Sequence, residues 1–294
     1  MKIHVREALA SDREAVFEFC RKTWSWGDYI PHVWDKWLME ENGKVFVATI
    51  DGAPVGISHV TIDKPGEAWL SGARTAPNFR RMGIASAIAQ KCLEYAKSRG
   101  AKVARLVTES DNKAAIAAVQ TMDFKPVAEF VEMTLEKPVN SEELSACSRW
   151  ARKSEAEVVW SFLETSEVYR EAAGLYTVLY HWFSLNRRDV ERFVAEGKAI
   201  ICLDKADGGK ICGLTLVEDA PSREWHENTL QTCYIDGDFN AVLDMAKFLK
   251  AHCAFKNVEK IYGFTCNHKP IITALEKLGF KPPESTAIIF QKQI

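Results

Sequence analysis

The chain carries a faint copy of itself, and this limits its possible folds more than any other feature. Asp111-Asn112-Lys113 leads through a helix-like stretch to Asp123-Phe124-Lys125-Pro126, and Cys266-Asn267-His268 leads likewise to Gly279-Phe280-Lys281-Pro282. Self-similarity of this kind marks one supersecondary unit used twice. With 294 residues there is room for two ordinary domains, each burying its own core. The Pro- and polar-rich run Lys137-Pro138-Val139-Asn140-Ser141-Glu142-Glu143 is the natural break between them. We therefore expect a first domain over 1–138, a linker over 139–153 and a second domain over 154–294.

Within the first half the periodicities alternate. Ile3 to Ala8 reads as a strand, and Ser11-Asp12-Arg13-Glu14 has the form of a capping box opening a helix through Arg21. Lys44 to Ile50 and Pro54 to Ile62 flank Asp51-Gly52, the signature of a tight hairpin. Ala68 to Thr75 would be a third antiparallel strand. Ile84, Ile88, Cys92 and Tyr95 then recur at helical spacing until Gly100. A strand over Val103 to Thr108, a helix over Asn112 to Met122 and a strand over Lys125 to Leu135 complete the order β-α-β-β-β-α-β-α-β, an α+β arrangement. The second half repeats its later part: a hairpin across Asp207-Gly208-Gly209, a strand Thr229 to Ile235, a helix Phe239 to Cys253, a strand Lys260 to Thr265, a helix Pro270 to Leu278 and a strand Thr286 to Gln291.

A net charge of -2 gives no general attraction to nucleic acid or to an anionic membrane, and no stretch has the ~20 apolar residues of a membrane span. The N-terminus lacks an apolar signal core, and the eight cysteines form no metal-spaced cluster. These features point to reduced thiols, a cytoplasmic protein and no metal.

Against that neutral background, Ser71 to Val107 holds eight basic residues (Arg74, Arg80, Arg81, Lys91, Lys97, Arg99, Lys102, Arg105) and one acidic residue, Glu94. At its centre the chain passes from strand to helix through Asn78-Phe79-Arg80-Arg81-Met82-Gly83-Ile84-Ala85. A helix N-terminus offers unpaired N–H groups and a positive dipole end, and small residues let a phosphate approach the backbone. A solvated helix face with one glycine is the bland alternative.

Arg80, Gly83 and Ala85 in this setting resemble the [Q/R]-x-x-G-x-[G/A] motif of the GNAT acetyltransferase superfamily. Asn112 opening a helix that ends in Asp123-Phe124, and the strand running into Ala76-Pro77, fit the same likeness over most of residues 1–136. The resemblance implies two tandem GNAT-like domains, each a mixed, mostly antiparallel twisted sheet flanked by helices. It also implies that acetyl-CoA is the co-substrate, held by Thr75, Ala76, Arg80, Arg81, Met82, Gly83, Ile84, Ala85, Ser86 and Asn112. Its pantetheine would run between the strands ending near Thr75 and Thr108. The second half keeps Asn267 before Leu275-Glu276-Lys277-Leu278-Gly279-Phe280, but Asp236-Gly237-Asp238 stands where the phosphate motif would be. Two carboxylates there would repel a pyrophosphate, so a degenerate, non-catalytic second domain is expected.

The implied chemistry is direct attack of a neutral amine on the acetyl thioester, the family recruiting a carboxylate as base, often through water. Glu67, Glu109 and His59 are the candidates. Many members carry a proton-donating Tyr seven residues after the helix-opening Asn, where this chain has Val119, leaving Ser110, Tyr29 or water. The acceptor pocket would draw on the aromatic stretch from Thr23 to Leu38, chiefly Trp26, Asp28 and Tyr29, together with Ser71; Trp34, Trp37 and Leu38 recur at helical spacing and suit a core. The Gly27-Asp28-Tyr29-Ile30-Pro31 entry adds a fainter likeness to a histidine N-acetyltransferase-like branch. An enzyme acting on the amine of a small molecule, amino acid or peptide terminus is the leading expectation. A non-catalytic acetyl-CoA sensor or interaction module is the alternative, and no nucleic acid or membrane partner is expected. The tandem arrangement can supply an internal pseudo-dimer, so a monomer is expected over a homodimer.

Overall fold

The computed structural model describes residues 2–21, 23–24, 27–138, 145–219 and 228–294. The start of the expected linker, 139–144, lies outside the described residues, as does Trp26. The chain divides into two compact units that do not follow chain order. One holds Met1–Thr108, Asn112–Lys125 and Phe290–Ile294; the other holds Glu109–Asp111 and Pro126–Ile289.

In the first unit, β1 (His4–Glu7), α1 (Arg13–Cys20) and α2 (Ile30–Leu38) precede a meander of β2 (Gly43–Ile50), β3 (Ala53–Lys64) and β4 (Glu67–Thr75). Then come α3 (Ile84–Ser98), β5 (Val103–Glu109) and α4 (Lys113–Thr121). β1 to β4 pair antiparallel in sequence order, and β5 runs parallel to β4. Asp51 and Gly52 turn the β2–β3 hairpin with φ of 49° and 84°, the left-handed pair that a two-residue turn needs to match strand twist. Val16, Cys20, Ile30, Trp34, Val45, Val47 and Ile57 close one core between α1, α2 and the sheet.

The capping box expected at Ser11 is not what opens α1. The Asp12 carboxylate makes no cap bond to α1; it accepts the Leu9 amide at 2.8 Å, closing the Ala10–Asp12 turn ahead of the helix, and a two-point ion pair from Arg6. A carboxylate that satisfies a backbone donor and a guanidinium together outcompetes a hydroxyl.

The second unit begins with β6 (Lys125–Glu136) and β7 (Ser148–Trp150), followed by α5 (Ala156–Thr165), α6 (Glu167–Glu171), β8 (Leu175–Val178), β9 (His181–Ser184) and α7 (Arg187–Ala195). It continues through β10 (Ala199–Asp204), β11 (Lys210–Asp219), β12 (Thr229–Gly237), α8 (Phe239–Phe255), β13 (Lys260–Cys266), α9 (Lys269–Lys277) and the start of β14 (Ala287–Gln293), whose residues from Phe290 belong to the first unit. β7, β10, β11 and β12 are successive antiparallel neighbours; β13 is parallel to β12 and antiparallel to β6. Each unit is thus a mixed, mostly antiparallel sheet with helices, as expected. Among the described residues no helix is long and apolar enough to cross a membrane, and all eight cysteines are free thiols.

Candidate active site

After Thr75 the Ala76 amide donates to the Val55 carbonyl at 2.8 Å, which holds the end of β4 against β3. A short turn over Pro77–Phe79 follows, and Arg80 is extended. Arg81 and Gly83 then take left-handed φ of 62° and 79°, folding the chain sharply into α3. Among the described residues, no side-chain cap and no acidic residue in the first turn balances the first N–H groups and dipole end of α3. A Cβ at Gly83 would meet nothing within 4 Å, so the glycine serves the backbone angle and leaves the space beside it open. Arg80, Arg81, Ala85 and Ser86 are exposed, Ile84 is buried, and among the described residues neither arginine has an acidic partner.

The second unit supplies the contrast. There the Asp238 carboxylate accepts the Ala241 amide at 2.8 Å and caps α8. Asp236 is buried, accepting from the hydroxyls of Tyr234 at 2.6 Å and Ser166 at 2.7 Å, and burial pushes its carboxyl above the usual range. An internal carboxylate thus fills the anion position that α3 leaves open. The likeness is also incomplete at the far helices: Asn112 caps α4 by accepting the Ala115 amide at 3.1 Å, whereas α9 is entered through His268 without a side-chain cap.

β4 and β5 pair only at Glu67 with Val103, Ala68 with Ala104 and Trp69 with Arg105. Beyond these residues the strands part. The cause lies in β4, where three steps from Ser71 to Arg74 span what two steps cover on β3, from His59 to Ile57. This bulge places Gly72 at φ 64°, and a Cβ there would come within 2.7 Å of the Trp37 ring. The opening so made lies beside the α3 loop.

On the α1–α2 face of this opening, Arg74 Nε donates to Asp28 Oδ2 at 2.7 Å and Nη2 to Oδ1 at 3.2 Å. The Asp28 side chain is fully buried, and it also accepts the Ile30 amide at 3.1 Å. It is therefore committed to Arg74 and to the start of α2. The Arg74 guanidinium lies over Trp24 and Tyr29, at 4.4 and 5.3 Å from the ring centroids. Burial pushes the Tyr29 hydroxyl up, with the Arg74 charge opposing. It remains protonated at neutral pH, able to donate.

Ser71 projects from the same face of β4. Its Oγ lies 3.2 Å from His59 Nδ1, and His59 Nε2 lies 2.7 Å from Glu40 Oε2. The His59 ring is stacked on Trp37 at 4.2 Å and 6°, so Trp37 belongs to the site's wall and Trp34 to the core. Glu40 was not foreseen. It sits just past α2, and only the tertiary packing of α2 on β3 brings it to His59.

Glu67 lies at the opposite end of β4 from the α3 loop, where Arg105 donates to it at 2.5 Å. The structure does not bring it to Ser71 or Tyr29. Glu109 and Ser110 fall in the second unit. Partial burial, then Asp111 and Glu132, push the Glu109 carboxyl up. Ser110 Oγ accepts the Thr286 amide at 3.1 Å. Val119 is buried on α4 and brings no proton donor.

Residues 8–124 match the acetyltransferase (GNAT) family model. An uncharacterised N-acetyltransferase of Methanocaldococcus jannaschii is 35% identical over 98 residues, covering 31% of this chain and 43% of that protein. A histidine N-acetyltransferase of Oreochromis niloticus is 30% identical over 105 residues, covering 35% of this chain and 31% of that protein. The chain thus spans less than half the length of these curated relatives. In fold, a tandem GNAT protein from the clavulanic acid biosynthesis pathway superposes over 99% of this chain and 98% of its own, with a TM-score of 0.52 at 13% identity.

Proposed function

We propose that this chain is an acetyl-CoA-dependent N-acetyltransferase, moving an acetyl group by direct attack onto the primary amine of a small molecule, an amino acid or a peptide terminus. The first domain, 1–138 by sequence, would be catalytic; the second, from 154 onward, would be a degenerate GNAT-like domain without a CoA site. The observation that carries this reading is the uncapped start of α3, set against the Asp238-capped start of α8. A pyrophosphate would accept from the amides around Arg81 to Ser86, with Arg80 and Arg81 adding positive charge. The pantetheine would follow the opening between β4 and β5, toward Ser71 and the Tyr29 wall. The likeness to a histidine N-acetyltransferase favours a free amino acid among the possible acceptors.

A second reading has one specific support: Val119 stands where a proton-donating Tyr would be expected, which suits a CoA-binding sensor. A thiol of pKa ~8.5 leaves tolerably as thiolate, so the loss need not abolish turnover. The two readings separate by free-thiol release from acetyl-CoA across amino acids, polyamines, peptides and aminoglycosides, with CoA binding followed by calorimetry. Turnover with one amine class supports the enzyme. Tight binding without turnover supports the sensor. Gly83→Trp fills the open space beside the loop and is expected to abolish CoA binding in a folded protein; unchanged affinity would mean that the site lies elsewhere.

A further inference from the structure

The ring of His59 is held at both nitrogens. A carboxylate only accepts, so in the neutral imidazole Nε2–H donates to Glu40 and Nδ1 keeps its lone pair. Ser71 then donates its hydroxyl proton to Nδ1, and the remaining lone pairs of Oγ are available to a third group. Gly43 makes this alignment possible. A Cβ there would stand 2.9 Å from His59 Nε2 and in clash with Glu40 Oε2. Trp37 fixes the ring plane from above. The His59 side chain is 1% exposed and that of Glu40 19%, so the outer end of the line touches water. Ser71 is half-buried, two residues beyond the last paired position of β4 and β5, on the face that carries Arg74.

We propose that Ser71, His59 and Glu40 form a proton-withdrawal line for the acceptor ammonium, in which Ser71 touches the amine and His59 takes up its proton. The proposal rests on the N-acetyltransferase reading and names the base that reading lacks. An ammonium N–H bond breaks as its proton passes to Ser71 Oγ, and the Ser71 proton passes to His59 Nδ1. The imidazolium so formed lies against the Glu40 carboxylate and returns its proton to water at that end. The freed lone pair forms the N–C bond, the C–S bond breaks with its electron pair on sulfur, and a second amine proton ends on the departing thiol. The groups set against the ring are Glu40 from the end of α2, Ser71 from β4, and Gly43 and Val45 opposite it on β2. Beyond Trp37 lie Tyr29 and then the Arg74–Asp28 pair.

The test uses the full-length protein, with thiol release measured at saturating acetyl-CoA against primary amines of graded basicity, and kcat/KM for amine followed over pH. Ser71→Ala and His59→Gln are expected to lower kcat/KM about 10²-fold for strongly basic amines, as loss of acid–base assistance does. The loss should shrink for weakly basic amines, which arrive neutral, while CoA affinity by calorimetry stays unchanged. Ser71→Thr, which keeps the hydroxyl, should retain most of the rate. Glu40→Gln should move the low-pH limb to lower pH, because His59 loses the carboxylate that favours its charged form. A uniform loss across amines, or an unmoved pH profile, overturns the relay. Ser71→Ala keeps the test open even if His59→Gln fails to fold. Absence of turnover in the unmodified protein with every amine would instead remove the enzyme reading, a different outcome from turnover that ignores Ser71.

Discussion

Arg74 on β4 and Asp28 ahead of α2 are joined by two charge-assisted hydrogen bonds, with the carboxylate fully buried and the guanidinium lying over Trp24 and Tyr29. This pair ties the segment before α2 to the strand that borders the β4–β5 opening. A surface acid able to greet a cationic acceptor is thereby turned into a structural one. The proposed acceptor wall is left to aromatic rings and Ser71.

Asp28→Ala would leave the Arg74 charge buried without its partner, and breaking such a pair costs about 3 kcal/mol or more. The expected result is a lower denaturant midpoint, with hydrogen-exchange protection lost first in α2, whose Ile30 amide Asp28 also accepts. Unchanged protection in α2 would show that the aromatic packing alone positions the segment.

Acid stability should depend on Glu155 in the second unit. Both its oxygens accept from Arg149, at 2.6 and 2.8 Å, and the Arg152 amide adds a bond at 2.7 Å. The side-chain bond to Arg149 is the main cause holding this carboxyl down at about 2, against an ordinary 4.5. A folded-state pKa below the unfolded one means that the unfolded chain binds more protons in that window. The stabilisation is therefore complete above 4.5 and is lost as pH falls toward 2. In acid unfolding, Glu155→Gln should separate from the unmodified protein above pH 4.5 and converge with it near 2. Parallel curves would place the effect elsewhere.

Much of this was legible in the sequence because local signals agreed with the tertiary outcome. Asp51-Gly52 named its own hairpin, and Ile84, Ile88 and Cys92 traced the buried face of α3. Gly83 could be read as the helix entry because few other residues accept its angle. The elements α5 to α7 and the β8–β9 hairpin were not read because each is only four to ten residues long, too short for a clear periodicity, although Ser166 and Asn186 cap α6 and α7. Ser11 misled because Arg6, five positions earlier, recruits Asp12 instead. Glu40 and the bulge at Gly72 depend on packing between distant segments, which no local pattern records.

The two helix starts allow a direct comparison. Asp238→Ala removes the cap of α8 and should destabilise the second unit by about 1 kcal/mol, the usual cost of losing an acidic N-cap. CoA affinity should not change, because the proposed phosphate loop belongs to α3. A drop in CoA affinity equal to that of a loop variant would place a CoA site in the second unit.

Glu67 was a candidate base, and its surroundings predict a different phenotype. Its partner Arg105 is buried, bonded through Nη1 to Glu67 and through Nε to Gln291 at 2.7 Å. Glu67→Ala removes a carboxylate from a buried guanidinium, so a loss of about 3 kcal/mol in stability is expected, with kcat per folded molecule unchanged. Glu67→Gln keeps an acceptor for Nη1 and should cost less. Ending the chain at 138 would remove Gln291 and with it the strand residues Phe290 to Ile294 that belong to the first unit. That fragment should therefore be less stable than the full chain, and more sensitive to Glu67→Ala. Thiol release normalised to folded protein, alongside denaturant midpoints, distinguishes the roles: a fall in kcat at unchanged midpoint would return Glu67 to the chemistry.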